Sequence, residues 1–183
     1  MVFDYIVNTR NSFGASANHI NRQQDRNNIG QRIFYDRNRM KTEDFDRLLN
    51  GKESEVETDG TIYFQHNFSK EDHELRFEVT ASKDEEVEDN RYRNQYRLPS
   101  TPTSMDNTLI RQGDKEQQVT IDYTNPVTDE SALETGYDGT FNQQDLNFYG
   151  EYFDAAQNKF VKDVIKTNRF LYKEATHAIY ATY

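Results

Sequence analysis

Apolar side chains recur at every second position in several separate stretches of the chain. The stretch "IYFQHNFSKEDHELRFEV", residues 62–79, has this alternation on both sides of a charged turn. Residues 119–125 and 133–141 repeat it. Because successive side chains of a strand point to opposite faces, the period predicts strands with one apolar and one polar face.

Seven strands are predicted from this pattern, and three of the hairpins share one build. The strands are expected at residues 2–8, 12–22, 56–68, 73–84, 116–125, 131–142 and 166–183. In each of the three hairpins a strand that contains tyrosine is followed by an asparagine and a short polar turn. The asparagines are Asn8, Asn67 and Asn125, spaced by 59 and 58 residues. The spacing indicates a structural repeat along the chain.

Long polar stretches separate the hairpins and are expected to be loops. They cover residues 22–55, 83–116 and 142–165, and residues 42–50 in the first of them could form one or two helical turns. Several predicted strands reach the roughly 9–11 residues that cross a bilayer at a tilt. Tight turns at one end of the strands and long connections at the other are typical of transmembrane β-barrels. The predicted fold is an all-β, antiparallel up-and-down meander of about seven long strands, part of a transmembrane β-barrel with short periplasmic turns and long extracellular loops.

Composition supports a folded but unusually polar chain. The 183 residues favour a single domain, residues 1–183; hydrophobic residues make up 34%, aromatic residues 13%, and the net charge is −10. Mean hydropathy is −1.06. The aromatic content argues against disorder, since disordered segments contain few aromatic residues. With no cysteine, the chain has neither disulfides nor thiolate metal ligands. No signal peptide and no apolar run long enough for a membrane-spanning helix are visible.

Charged clusters offer only weak candidate sites. The acidic run is Asp84, Glu85, Glu86, Glu88 and Asp89. It could bind a divalent cation, but a solvated loop tip is favoured because EF-hand spacing is missing. The basic stretch is Arg22, Arg26, Arg32, Arg37, Arg39 and Lys41. It could contact lipopolysaccharide phosphates, although a plain polar loop is favoured; nucleic acid is not expected for an acidic chain without a binding motif.

No catalytic constellation is recognisable. The histidines His19, His66, His73 and His177 are scattered along the chain, and the carboxylates Glu134, Asp138, Glu151 and Glu174 have no spacing that places two of them together. We therefore expect no enzyme activity and no catalytic, cofactor-binding or metal-binding residues. Five tyrosines lie near the short-turn ends of predicted strands and are expected to form an aromatic girdle at the lipid–water boundary: Tyr5, Tyr63, Tyr123, Tyr180 and Tyr183.

Three segments carry a family resemblance. The stretches "DYTNPVTDESALETGY", "FYGEYFDAAQNKFVKD" and "NRFLYKEATHAIYATY" closely resemble the outer-membrane β-barrel family related to TonB-dependent receptors. The likeness covers about residue 117 to the end and extends more loosely to residues 1–84. It implies a Gram-negative outer-membrane location, a wall and extracellular loops for substrate uptake, and a separate plug domain in the parent protein.

From the resemblance we expect this chain to be an internal fragment of a larger barrel, without a plug domain or a signal peptide. Its expected partners are outer-membrane lipid and lipopolysaccharide, the rest of the parent barrel with its plug, and an unknown extracellular substrate. No cofactor is expected. Two alternatives stay open: a soluble β-sheet module that binds glycans or protein, and a complete small barrel.

Overall fold

Eight β-strands and short turns account for all of residues 1–183 in the computed structural model. The strands are β1 (Val2–Ile6), β2 (Asn11–Tyr35), β3 (Lys41–Asn67), β4 (Glu74–Leu98), β5 (Ser104–Pro126), β6 (Ala132–Asp154), β7 (Lys159–Lys162) and β8 (Asn168–Thr182). Each of β1 to β6 pairs antiparallel with the next strand in the sequence. This all-β antiparallel meander confirms the predicted fold class.

The last two strands are the halves of one interrupted strand. Both pair with the edge of β6 that β5 leaves free: Glu151 lies opposite Lys162 of β7, and Phe148 lies opposite Asn168 of β8. Between them, the carboxylate of Asp163 accepts the backbone N–H groups of residues 165 and 166 at 3.1 Å. The sheet therefore has seven strand positions, the number that the alternation predicts.

The predicted long loops are wrong, because the polar stretches are themselves strands. β2 to β6 contain 23 to 27 residues each. The turns at their far ends, residues 36–40, 99–103 and 155–158, are as short as those at the near ends. Hydrogen bonds along a strand come from the backbone, so a stretch that is polar on both faces can continue a ladder. An alternation search cannot detect such a stretch, because neither face is apolar.

The helical turns expected at residues 42–50 are also wrong. This segment belongs to β3 and is paired on both sides, with β2 and with β4. Phe45 packs against Tyr96 with ring centroids 4.9 Å apart. Leu48 and Leu49, which a helix would place together, lie on opposite faces of the strand. Two flanking strands thus override a weak helical pattern.

The sheet is a single open layer with β1 and β8 at its edges. None of the hydrophobic residues is buried, and Ile179 is 83% exposed. A soluble sandwich would cover this apolar surface with a second sheet. The fold instead leaves a broad apolar surface for its surroundings to cover.

The structure contains no helix that is long and apolar enough to cross a membrane.

Candidate functional site

Cross-strand register gathers the apolar positions onto one face of the sheet, which we term the band face. Residues opposite each other in the ladder lie on the same face, so they form rows across the strands. The two central rows are Tyr5, Phe13, Phe64, Phe77, Ile121, Tyr137 and Ile179, and Phe3, Ala15, Ile62, Val79, Val119, Gly139 and His177. Every strand position contributes, so the apolar band is continuous from edge to edge.

The height of the band matches a bilayer. On β4 it extends from His73, at the near turn, to Lys83, where charge first appears on this face. These ten steps cover roughly 34 Å of extended chain, or about 24–28 Å across a membrane at the usual 35–45° tilt. The apolar band of outer-membrane barrels is about 25 Å tall. The band face therefore has the dimensions of a lipid-facing surface.

A polar row closes the band at its upper limit, and we term it the boundary row. It consists of His19, Thr58, Lys83, Lys115, Gln143 and Lys173. Beyond it the strands continue for a further 15 residues on β4, from Lys83 to Leu98. That upper part of the sheet lies outside the apolar band.

The opposite face, at the level of the band, contains two copies of a three-strand arrangement. Tyr63 lies across Gly14 and donates its hydroxyl to Asp4 at 2.7 Å. Tyr180 lies across Gly136 in the same way and donates to Asp122. A Cβ atom on Gly14 would meet the Tyr63 ring at 2.1 Å. Glycine is needed at the middle strand because the tyrosine ring occupies the space of a side chain.

This arrangement corrects the predicted aromatic girdle. Tyr5 and Tyr123 lie on the band face, as a girdle requires. Tyr63 and Tyr180 lie on the opposite face and bond to carboxylates, so their assignment to the girdle is wrong. Tyr183 follows β8 and is exposed. In a strand, a tyrosine between two apolar residues must point away from them.

Above these tyrosines, the same face is lined with carboxylates, and we term this region the acidic wall. Its members are Glu53, Glu55, Glu57, Asp59, Asp84, Glu86, Glu88, Asp114 and Glu116. Several lie directly opposite one another, as Glu57, Asp84 and Asp114 do in one row. The predicted acidic loop tip is therefore wrong: its run lies in the middle of β4, and alternation puts Glu85 and Asp89 on the other face.

Only two arginines from the predicted basic stretch neutralise the acidic wall. Arg22 lies 3.2 Å from Glu55, and Arg26 lies 2.9 Å from Glu53 and 2.8 Å from Glu88. Lys41, from the same stretch, bonds to Asp44 at 2.9 Å near the far turns. The basic stretch therefore does not form one phosphate-binding patch.

One group in the acidic wall has the donor set of a cation site. Carboxylate oxygens of Glu53, Glu86 and Glu88 all lie within 4.8 Å of one another. Burial and the neighbouring Glu88 and Glu53 raise the pKa of Glu86. Three carboxylates suit a hard cation, but Arg26 already bonds to two of them.

The other sequence candidates are dispersed. Glu134, Asp138 and Glu174 point to the face of the acidic wall, whereas Glu151 points to the band face. Asp138 accepts bonds from Gln118, Thr120 and Thr140. All four histidines are on the band side, and each bonds to a neighbouring side chain: His19 to Thr58, His66 to Asn11, His73 to Tyr123 and His177 to Tyr137.

The upper part of the band face contains a depression of about 920 Å³, bordered by Ile29, Leu48, Met105, Tyr149 and Phe160, among others. At the far-turn end of the sheet, Asp44 accepts bonds from Arg97 at 2.6 Å, Lys41 at 2.9 Å and Gln31 at 3.0 Å. These donors, Arg97 first, hold the pKa of Asp44 well below its usual range. Polar and charged side chains thus add contacts between the upper strands beside the backbone ladder.

Sequence reasoning missed the boundary row, the acidic residues contributed by β3 and the two glycines beneath tyrosines. Each depends on which residues lie opposite in the ladder. Alternation alone gives the face of a residue within its own strand but not its neighbours.

Comparison with known proteins agrees with this geometry. The model of the outer membrane protein beta-barrel family matches residues 66–183. No curated protein matches the chain. The matched region contains β4 to β8, which are four of the seven strand positions, and five of the nine carboxylates of the acidic wall. Two-faced strands, a band of bilayer height and this match together establish that the chain belongs to the outer membrane protein beta-barrel family, whose place is the outer membrane of Gram-negative bacteria.

Proposed function

We propose that the chain forms part of the wall of an uptake barrel that resembles TonB-dependent receptors. The observation that carries this proposal is the division of the sheet into an apolar band on one face and a carboxylate-lined wall on the other. The band contacts lipid, and the opposite face borders an aqueous lumen. The strands above the band extend beyond the membrane and supply the surface that a substrate meets first.

The open sheet supports a wall that continues into further strands. β1 and β8 each leave one edge without a partner. In a bilayer an unpaired edge is costly, because no water is present to bond its N–H and C=O groups. In this proposal other strands of the assembled barrel pair with both edges, and a plug domain fills the lumen. The soluble-module alternative has less support, since nothing in the fold covers the band.

The acidic wall supports selection by charge. Its nine carboxylates are opposed by two arginines at close range. A lumen lined by one sign of charge concentrates counter-ions and repels ions of the same sign. We therefore expect cationic or neutral solutes to pass this wall more readily than anionic ones.

Blocking the lumen from this face tests the proposal. The chain lacks cysteine, so Thr120→Cys places a single thiol on the lumen face and Val119→Cys places the matched control on the band face. Cells lacking the protein are compared with cells carrying each variant, for growth on a panel of nutrient sources.

We expect the deletion to abolish growth on at least one nutrient. A bulky, membrane-impermeant maleimide should reproduce that loss with Thr120→Cys and not with Val119→Cys. If the deletion strain grew like wild type on every source, or if treatment with the maleimide affected both variants alike, uptake through this wall would be refuted.

A further inference from the structure

The boundary row contains three lysines on the face that meets lipid. Lys83, Lys115 and Lys173 occupy three of its six positions, directly above a row that includes Ala81, Phe141 and Ala175. Their ammonium groups therefore lie at the level where the apolar band ends. In a membrane this is the level of the lipid headgroups.

Two of these lysines lie directly opposite each other. Lys83 and Lys115 are cross-strand partners, and like charges in that position destabilise a sheet. Lys83 is partly compensated by Glu85 at 2.5 Å. Lys115 and Lys173 form no salt bridge with any residue of the chain. The two uncompensated charges fit an anion that comes from outside the sheet.

A depression lies between the two uncompensated lysines. It has a volume of about 410 Å³ and is bordered by Lys115, Lys173, Gln143, Phe141 and Ala175, together with Gln117, Asn142 and Glu174. Gln143 lies between the lysines in the ladder and offers an amide donor. Phe141 and Ala175 form its side toward the band. Alternation points Glu174 to the opposite face, and the nearby Asp145 is bonded to Arg169 at 2.6 Å.

We propose that this depression binds the phosphate headgroup of an anionic membrane lipid, with Lys115 and Lys173 on the phosphate and the first acyl segment against Phe141. The inference rests on the proposed wall, because the band must face lipid. A compact ammonium group pairs well with phosphate as a point charge. The contact would fix the height of the sheet in the membrane at the boundary row.

Binding to a short-chain lipid phosphate tests the proposal. The full chain is folded in neutral maltoside micelles and titrated with dihexanoyl phosphatidic acid, and binding is measured by ³¹P NMR. Dihexanoyl phosphatidylcholine tests the need for net negative charge, and inorganic phosphate tests the need for the lipid. The variants are K115Q/K173Q, the charge-keeping pair K115R/K173R, and the control K159Q/K162Q, which removes two lysines from β7, far from the boundary row.

We expect K115Q/K173Q to bind phosphatidic acid roughly thirty-fold more weakly, which corresponds to about 1 kcal/mol for each lysine. The arginine pair should restore binding, and the control should match wild type. If K159Q/K162Q lost as much affinity for phosphatidic acid, the effect would come from net charge alone and the proposed site would be overturned. Unchanged binding in K115Q/K173Q would overturn it as well, and equal binding of inorganic phosphate would overturn the assignment to lipid.

Two measurements on the same samples separate this inference from the proposed wall. Circular dichroism reports whether each variant is folded as strands. Quenching of tyrosine fluorescence by a micelle-soluble nitroxide reports whether the band is in contact with detergent. If wild type lacked that contact, the wall and this site would both fail. If the band were in contact while the lysine substitutions had no effect, only this site would fail.

Discussion

Gly136 lies under the ring of Tyr180, and its substitution tests the three-strand arrangement. A Cβ atom there would meet three atoms of the Tyr180 side chain at 2.5 Å each. The ring would have to move about 1 Å to restore ordinary contact, and the hydroxyl would then leave Asp122. We therefore expect Gly136→Ala to destabilise the sheet, even though alanine loses less conformational entropy on folding than glycine does.

The magnitude follows from three contributions. Overpacking costs about 1–3 kcal/mol, and loss of a hydrogen bond to a charged group costs about 1.5–3 kcal/mol. Replacing glycine by alanine within a strand returns about 0.5–1 kcal/mol. The free energy of unfolding should therefore fall by about 1.5–5.5 kcal/mol. Guanidinium unfolding of the full chain in phosphatidylcholine vesicles, followed by circular dichroism, measures it.

Gly113 provides the matched control. It lies within β5 and a Cβ atom there has nothing within 4 Å. Gly113→Ala should leave stability unchanged or raise it by up to about 1 kcal/mol. In a Tyr180→Ala background the cost of Gly136→Ala should disappear, since the ring is gone. Equal stability of the two single glycine variants would refute the reasoning.

Three further predictions concern charge. Val119→Arg, at the middle of the band, should cost about 2–4 kcal/mol in bilayers, whereas Thr120→Arg on the other face should cost much less; equal costs would contradict the facing. Glu86→Gln should raise stability at pH 7 by up to about 1 kcal/mol before solvent screening. The pKa of Glu86 is raised in the folded sheet, so protonated Glu86 stabilises wild type below about pH 4.3, and this stability is lost as the pH rises. The stability gained by Glu86→Gln should therefore shrink towards pH 4, and a gain independent of pH would contradict this. Asp44→Asn should lower stability at pH 7 and lose its effect in strong acid. The pKa of Asp44 is lowered in the folded sheet, so wild type itself loses the stability from ionised Asp44 as the pH falls below about 3.9. Unfolding measured from pH 2 to pH 7 checks the Glu86 and the Asp44 predictions.

The lower half of the fold was predictable from sequence. In β5, Val119, Ile121 and Tyr123 alternate with Thr120 and Asp122, and the structure puts these two sets on opposite faces. The near turns and the number of strand positions followed from the same pattern. Burial in lipid on one side and water on the other imposes a period of two, so the sequence shows it directly.

The upper half was not predictable, for a physical reason. Above the boundary row polar and charged residues are frequent on both faces, so the period of two is lost. Beside the backbone ladder, side-chain bonds between these strands join residues distant in sequence, such as the Arg47 guanidinium and Asp106, 59 residues away and 2.7 Å apart. The boundary row and the acidic wall depend on which residues of neighbouring strands are paired. That register cannot be read from a single sequence.

The central claim is that the two faces of the sheet meet lipid and water, and nitroxide scanning tests it most directly. Because the chain has no native cysteine, each of residues 118–123 can be changed singly to cysteine, labelled, and examined in lipid bilayers for collision with oxygen and with a water-soluble nickel chelate. We predict a period of two, with oxygen favoured at positions 119, 121 and 123 and nickel favoured at positions 118, 120 and 122. Equal access of nickel to both sets, or the absence of a period, would contradict the account.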